Sequence, residues 1–332
     1  MSRNKYHDID LSTSSFLITG GAGFIGSNLV DYLLHFGAKK VRVLDNLSNG
    51  YYHNIEEFMS NPAFEFLEGD IRDYETCVTA VEGMDYVSHQ AALGSVPRSI
   101  KDPITSNAVN ISGYLNVIQA VKENGNVKRF VYAASSSSYG TSPKLPKVEG
   151  EEGLPLSPYA ITKRVNEFYG DTFSRVYGFH SIGLRYFNVF GPRQSFDNPY
   201  AAVIPLFFKA SLNNEAPKIF GDGETSRDFT FVENAIQANI KGMLTTDLKS
   251  HEVINIACGD RTTLTELWGI IAELTDSDLK PIYQEERPGD VKHSLADITK
   301  ARNLIGYNPL YTVKQGLKEA ASFYINQQTE KP

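Results

Sequence analysis

Short apolar runs alternate with longer amphipathic segments along the first half of the chain. Six runs rich in β-branched and aromatic residues predict buried strands: Phe16–Thr19, Val41–Asp45, Phe64–Leu67, Tyr86–His89, Phe130–Ala134 and Ser181–Phe187. Helical periodicity lies between most of them, for example in Ile25–Phe36, Asn107–Lys122 and Pro158–Tyr177. Because crossover helices cover both faces of a buried parallel sheet, this alternation predicts an α/β fold with a Rossmann-type doubly wound parallel sheet.

The alternation breaks after Gly191, where prolines and the turn-rich Gly221-Asp222-Gly223 follow. We therefore predict a first domain over residues 1–188 and a smaller α/β C-terminal domain over residues 189–229 and 259–332. Residues 230–258 contain a helical pattern and an apolar run, Val253–Ala257, and are expected to return to the first sheet. Two further helices are predicted to begin near Asp297 and Thr312, since both side chains can cap a helix.

Length and charge narrow the function classes. The 332 residues suggest about two domains, and the net charge of −7 argues against a protein that coats a nucleic-acid polymer. No apolar stretch reaches the ~20 residues of a membrane span. Cys77 and Cys258 lie too far apart in sequence for a disulfide framework and match no metal-ligand spacing. We expect a cytoplasmic protein without a metal site.

A glycine-rich turn, Thr19-Gly20-Gly21-Ala22-Gly23-Phe24-Ile25-Gly26, follows the first predicted strand and opens a helix. Gly20 permits a tight turn, Gly23 lets a pyrophosphate approach the backbone, and Gly26 lets the helix pack close to the sheet. The alternative is an ordinary strand-to-helix turn. Asp45 lies 19 positions after Gly26, at the end of the next strand, where a carboxylate holds a ribose diol. The combination favours a dinucleotide site, and NAD over NADP.

A tyrosine and a lysine four residues apart, Tyr159 and Lys163, lie on one face of a helix that Ser157-Pro158 would begin. A free tyrosine, with a pKa of about 10, is a poor base at neutral pH, but a nearby ammonium favours the phenolate. The run Ser135-Ser136-Ser137-Ser138 follows a predicted strand, at the end where open α/β sheets bind ligands. These residues predict proton-transfer chemistry beside the dinucleotide.

The glycine turn, the strand-end serine and the Y-x-x-x-K helix together resemble the extended short-chain dehydrogenase/reductase family, in particular nucleotide-sugar 4-epimerases. The resemblance runs from about Phe16 to Tyr324. It implies NAD as cofactor, catalytic roles for Tyr159, Lys163 and Ser135, and a homodimer formed by the helices that begin near Thr105 and Pro158.

The resemblance also assigns two sets of binding residues. Those implied for NAD are Gly20, Gly23, Phe24, Ile25, Gly26, Asp45, Asn46, Ser48, Gly50, Asp70, Ile71, Gln90, Ala91, Ala92, Asn110, Tyr159, Lys163 and Tyr186. Those implied for the sugar nucleotide are Ser95, Ser135, Ser136, Ser137, Asn188, Val203, Phe220, Gly221, Arg227, Arg287, Asp290 and Ser294. Arginines suit a diphosphate because the guanidinium presents a planar fork of donors.

Two features select an activity within the family. Dehydratases carry Thr-Asp-Glu where this chain has Ser135-Ser136-Ser137, so elimination of water is disfavoured. Ser294, four positions after Asp290, is small, and the loop 94–99 resembles that of bacterial epimerases that prefer N-acetylated sugars. The resemblance implies NAD-dependent 4-epimerisation of UDP-N-acetylglucosamine to UDP-N-acetylgalactosamine through a transient 4-keto sugar, in a polysaccharide precursor pathway. The alternatives are a UDP-glucose or UDP-glucuronate 4-epimerase, or a non-catalytic dinucleotide-binding sensor or scaffold.

Overall fold

The structure is a computed structural model that describes residues 3–195, 202–286 and 292–329. Its strands are Ser15–Thr19 (β1), Lys40–Asp45 (β2), Phe64–Glu68 (β3), Tyr86–His89 (β4), Arg129–Ser135 (β5), Ser181–Tyr186 (β6), Val189–Phe190 (β7), Lys218–Phe220 (β8), Ser226–Arg227 (β9), Thr230–Phe231 (β10), Glu252–Ile256 (β11), Thr262–Thr263 (β12) and Ile282–Gln284 (β13). Its α-helices are Phe24–His35 (α1), Tyr74–Val81 (α2), Val96–Lys101 (α3), Pro103–Asn107 (α4), Tyr114–Asn124 (α5), Pro158–Tyr177 (α6), Val203–Leu212 (α7), Val232–Leu244 (α8), Leu264–Thr275 (α9), Thr299–Ile305 (α10) and Val313–Thr329 (α11).

Seven strands of the described ranges form one sheet in the order β11-β6-β5-β4-β1-β2-β3, and every pair is parallel. This arrangement confirms the predicted Rossmann-type sheet. The strand order reverses between β1 and β4, and ligands of open α/β sheets bind in the crevice at such a point.

Successive side chains of each strand enter opposite layers of the core. Phe16 and Ile18 of β1 pack in the layer that contains α1 and α8, whereas Leu17 packs in the layer that contains α2 and α5. Both faces of the sheet are therefore buried, as the near-continuous apolar strands require.

The C-terminal elements pack as a smaller layer of helices. Phe207 of α7 meets Trp268 of α9 edge to face at 5.8 Å, and Phe208 stacks on Tyr324 of α11 at 4.6 Å. The segment 230–258 places α8 against the sheet and β11 beside β6. The division of the chain into two domains stays a prediction.

One predicted helix has the same bounds in the structure and another does not. Helix α6 has the predicted bounds, because Ser157 accepts a hydrogen bond from the Ala160 N–H and Gly178 ends the helix in the left-handed conformation. The predicted helix Asn107–Lys122 is instead divided by a π-helical turn, Ala108–Gly113. Within the three described ranges no helix is long and apolar enough to cross a bilayer.

Candidate active site

A cleft of about 1300 Å³ runs along the carboxyl ends of the strands and crosses the point where the strand order reverses. Sites for one drug-sized ligand enclose roughly 300–1,000 Å³, so this cleft has room for more than one such ligand. Residues that follow β1, β2 and β3 line one half, and residues at the ends of β5 and β6 line the other.

The glycine turn shapes the first half of the cleft. Gly20 has a φ of +70°, and a Cβ on Gly26 would lie 2.2 Å from the Gly20 carbonyl oxygen, so both positions require glycine. Gly23 precedes α1 without a side-chain cap. A Cβ there would meet only the Gly20 oxygen, at 3.2 Å. The first N–H groups of α1 therefore face open space, which fits a pyrophosphate.

Two carboxylates lie at this end of the cleft. Asp45 accepts hydrogen bonds from the N–H groups of Ala22 (3.0 Å) and Leu47 (2.9 Å), one on each oxygen. Each oxygen keeps a second acceptor site, which suits a ribose diol, and burial raises the pKa of this carboxyl. At Asp70, the hydrogen bond from the Arg72 side chain is the main cause that lowers the carboxyl pKa, to about 2.

The other half of the cleft contains Ser135, Tyr159 and Lys163. Lys163 donates a hydrogen bond to the Ala133 carbonyl oxygen at 2.7 Å. Burial lowers the pKa of Lys163 to about 8, and the charge of Glu167 acts in the opposite direction. Burial raises the pKa of Tyr159, and its hydrogen bond with Ser135 lowers it. In the protein alone the phenol is therefore held protonated, and added positive charge is needed to favour the phenolate.

A buried aspartate organises the remaining wall. The Asp228 carboxylate accepts hydrogen bonds from the N–H groups of Cys258 (2.9 Å), Gly259 (3.0 Å) and Ala296 (3.2 Å), and burial raises its pKa to about 7. Its own carbonyl oxygen accepts from the Asn188 side chain at 3.0 Å. Asp228 thereby fixes the positions of Arg227, Asn188 and the segment that carries Ser294, all of which line the cleft.

Most of the predicted site residues lie together on the cleft wall. These are Gly20, Gly23, Phe24, Ile25, Gly26, Asp45, Asn46, Ser48, Gly50, Asp70, Ile71, Gln90, Ala91, Ala92, Ser95, Ser135, Ser136, Ser137, Tyr159, Lys163, Tyr186, Asn188, Arg227 and Ser294. Arg287 and Asp290 lie outside the described residues. Their roles in binding stay predictions.

Four predicted residues lie off the wall, and the binding contacts expected of them stay predictions. Asn110 accepts from the Leu93 N–H at 2.8 Å and donates to Thr162, so its amide ties the loop after β4 to α6. Val203 begins α7, from which Leu206 reaches the cleft instead. Phe220 and Gly221 belong to the ribbon in which β8 pairs with β13.

One cleft residue, Lys147, has no local sequence signal. It is 6% exposed, and within the described residues its ammonium contacts the Ser142 carbonyl oxygen and no carboxylate. Its position depends on a bridge to Ala296, a residue about 150 positions later in the chain. Only the tertiary structure brings these two segments together.

The chain is similar to known proteins over most of its length. A family model described as GDP-mannose 4,6 dehydratase matches residues 17–320. The chain belongs to this family of extended short-chain dehydrogenases/reductases. The resemblance inferred from the glycine turn and the Y-x-x-x-K helix is thus confirmed.

Three solved structures of the family are similar over nearly the whole chain. A UDP-N-acetylglucosamine 4-epimerase from Methanobrevibacter ruminantium M1, in complex with UDP-N-acetylmuramic acid, is 41% identical, with a TM-score of 0.89 and coverage of 95% of this chain and 99% of that chain. A UDP-glucose 4-epimerase from Thermotoga maritima with UDP-glucose is 36% identical (TM-score 0.87; 95% and 99%). A UDP-glucuronic acid 4-epimerase from Bacillus cereus, with UDP-glucuronic acid and NAD, is 28% identical (TM-score 0.87; 94% and 99%).

Proposed function

We propose that the protein is an NAD-dependent UDP-sugar 4-epimerase that prefers UDP-N-acetylglucosamine. The observation that carries the reaction class is the group Ser135, Tyr159 and Lys163 in a cleft whose acidic wall residues, within the described ranges, are Asp45 and Asp70. Asp45 ends β2 and Asp70 follows β3, both on the far side of the point where the strand order reverses. Elimination of water needs an acid and a base in addition to Tyr159 at the sugar, and the described wall places no carboxylate beside Ser135, Tyr159 and Lys163. A non-catalytic sensor would need the glycine turn but not the phenol.

The chain's own residues account for the proton movement. Tyr159 as phenolate takes the proton of the sugar 4-hydroxyl, and Ser135 donates a hydrogen bond to the same oxygen. Lys163 contributes the positive charge that favours the phenolate and remains free to donate to a ribose hydroxyl. NAD, when bound, would supply a reversible acceptor for the C4 hydride, so that the reaction has no net oxidation. The 4-keto sugar turns before Tyr159 returns the proton to the 4-oxygen.

Small side chains support the preference for an N-acetyl group. Ser294 lies on the wall with its backbone N–H bound to the Ser226 carbonyl oxygen at 3.1 Å, so its side chain faces the cleft without bulk. On the opposite wall, a Cβ on Gly94 would meet no atom within 4 Å. Arg98 donates to the Asn49 side chain, on the dinucleotide half, and is therefore directed away from the sugar.

One observation favours a second candidate, a UDP-glucuronate 4-epimerase. Lys147 places a nearly buried ammonium in the wall of the cleft, in the segment that forms a bridge with Ala296, two residues after Ser294. A buried cation is costly unless an anion pairs with it. The C6 carboxylate of a uronate would be such an anion.

The three substrates separate these candidates. We expect the purified protein, with no NAD added, to convert UDP-N-acetylglucosamine to UDP-N-acetylgalactosamine faster than it converts UDP-glucose or UDP-glucuronate to its 4-epimer, as resolved by anion-exchange chromatography. A parallel sample with added NAD separates an inactive protein from one that lost cofactor. Faster conversion of UDP-glucuronate would establish the second candidate. No product from any substrate, with NAD present, would rule out the reaction class.

We also propose that two copies associate through α4 and α6. Ile104 is 81% exposed on α4, and Ile161 and Phe168 are about half exposed on α6, which packs against α4. Single chains seldom leave an apolar patch of this kind open to water. We expect sedimentation equilibrium to give twice the mass of one chain, and Phe168→Glu to give one chain. Leu310→Glu, at an exposed leucine elsewhere, is the control that should leave the mass unchanged.

A further inference from the structure

Four charged side chains form a closed ring of ion pairs behind the catalytic residues, and we call Arg164, Glu152, Arg185 and Glu167 the charge ring. Arg185 holds Glu167 through two hydrogen bonds of 2.8 and 2.7 Å and lies 2.5 Å from Glu152. Arg164 lies 3.1 Å from Glu152 and 2.6 Å from Glu167. The Arg185 and Glu167 side chains are 2% and 3% exposed, so the pairing takes place out of water.

The charge ring lies directly behind the Tyr159–Lys163 pair. Glu167 follows Lys163 by one turn on the same face of α6, as Lys163 follows Tyr159. Arg185 is the register partner of Ala134 on β5, between Ala133, which accepts the Lys163 hydrogen bond, and Ser135. Lys163 is thus one helical turn from Glu167, and Ser135 follows the register partner of Arg185.

Charge balance distinguishes this ring from an ordinary stabilising ion pair. Its two arginines and two glutamates sum to zero, so Lys163 contributes one unpaired positive charge to the region. Without Arg185, the remaining three members would sum to −1, and Arg164 alone would pair with both Glu152 and Glu167, so that Glu167 would offset the Lys163 charge. Buried ion pairs often stabilise a fold no better than apolar side chains of similar volume, so stability alone does not account for the ring.

The histidines and tyrosines that face this region are neutral at physiological pH, and one further carboxyl, Glu149, faces Arg185. Burial lowers the pKa of His89, beside Lys163, to about 3, and lowers the pKa of His251, near Glu167, to about 4. Burial also raises the pKa of the three phenols Tyr114, Tyr132 and Tyr139, and of the Glu149 carboxyl that faces Arg185. The net charge of this region is therefore set by Lys163, the charge ring and Glu149, and Lys163 is the charged group one helical turn from Tyr159.

We propose that Arg185 and Glu167 are positioning residues that set the acidity of Tyr159: Arg185 binds Glu167 and so leaves the Lys163 charge available to the phenol. This proposal rests on the proposed function only for the role of Tyr159 as base. Glu167 lies eight residues from Tyr159, or about 12 Å along a helix that rises about 1.5 Å per residue. At an effective dielectric constant of about 20, one charge at that distance shifts a titration midpoint by about one pH unit.

A spectroscopic titration tests the proposal without any sugar substrate. The phenolate absorbance of Tyr159 is measured against pH in the NAD-loaded protein as the difference between each variant and the same variant carrying Tyr159→Phe. We expect Glu167→Gln to lower the midpoint by about one pH unit and Arg185→Met to raise it by a similar amount. The double variant, which restores the charge balance, should return close to wild type.

Arg185→Lys is the matched control, because it keeps the charge and loses the planar fork. The Tyr159 titration midpoint of Arg185→Lys should stay at the wild-type value. If Arg185 acted only through the shape of its side chain, Arg185→Lys would shift this midpoint as far as Arg185→Met does. If Arg185→Met does not fold, the direction of the midpoint shift in the near-isosteric Glu167→Gln still tests the proposal. A Glu167→Gln midpoint that rises or does not move would overturn the proposal. Wild-type turnover of UDP-sugars, measured separately, tests the proposed function itself.

Discussion

Replacing Tyr159 by phenylalanine is expected to reduce epimerisation of UDP-N-acetylglucosamine by about 10²–10⁴-fold while NAD stays bound. The variant removes one hydroxyl from a partly buried ring and leaves the packing of α6 intact. Proton transfer by a positioned side chain contributes about 10²–10⁴-fold to a rate. The other two phenols of the described wall, Tyr139 and Tyr186, donate their hydroxyl protons to Asn255 and Gln90, so neither is expected to replace Tyr159. Turnover and bound NAD are measured on the same preparation.

The control for this variant is Tyr177→Phe, on the last turn of the same helix. Tyr177 is 55% exposed and remote from the cleft, so loss of its hydroxyl should leave turnover unchanged. If Tyr159→Phe keeps more than about a tenth of wild-type turnover, the proton passes through another group. A variant that also releases NAD would show that the phenol supports cofactor binding and would leave its role in catalysis to pre-steady-state measurement.

The sheet and the first helices follow from signals that are local in the sequence. Each strand of the Rossmann-type sheet is a short apolar run, and every predicted run lies within a residue or two of the observed strand. Helix α9 was not predicted, although Thr263 and Glu266 form a capping box that marks its beginning. The resemblance implies a loop over residues 94–99, but Val96–Lys101 forms helix α3, since proline is tolerated in the first turn of a helix.

The half of the cleft that contains Ser135, Tyr159 and Lys163 is predictable from the sequence, because it consists of strand ends and one face of a helix. Ser135 ends β5, and Tyr159 and Lys163 share a face of α6, so periodicity alone brings them to one edge of the sheet. The wall around Asp228 was not predictable. Its carboxylate joins Cys258, Gly259 and Ala296, which are 30 to 68 residues away, and no local pattern marks which backbone groups a buried carboxylate will bind.

The sequence places Arg185 on the correct strand but does not show that its side chain binds Glu167. The sequence places it in the segment Arg185-Tyr186-Phe187-Asn188-Val189, which the resemblance assigns to the cofactor pocket. Alternation along β6 directs Tyr186 to the cleft, where Gln90 and Asn239 hold its hydroxyl, and directs Arg185 to the opposite side. On that side Arg185 binds Glu167. The spacing between Lys163 and Glu167 is visible in the sequence, but the pairing of Glu167 with Arg185 is not.

Replacing Ser294 by tyrosine is expected to reduce turnover of UDP-N-acetylglucosamine by at least about 100-fold, and that of UDP-glucose by less than about tenfold. The phenol would enter the cleft from a wall that the substitution leaves in place, because the Ser294 backbone, not its side chain, bonds Ser226. An N-acetyl group needs the volume that the phenol takes, whereas a hydroxyl does not. The kcat/KM values for the two substrates measure this directly.

Ser294→Ala provides the matched control, since it keeps the volume small and should retain the preference for the N-acetylated substrate. Equal losses on both substrates in Ser294→Tyr would indicate a general distortion of the cleft rather than a gate. Unchanged turnover of UDP-N-acetylglucosamine would place the acetyl group elsewhere on the wall, with the open space beside Gly94 as the remaining candidate. We therefore expect substrate choice in this cleft to depend on side-chain volume at position 294, whereas the proton chemistry proposed for Ser135, Tyr159 and Lys163 would be common to every substrate.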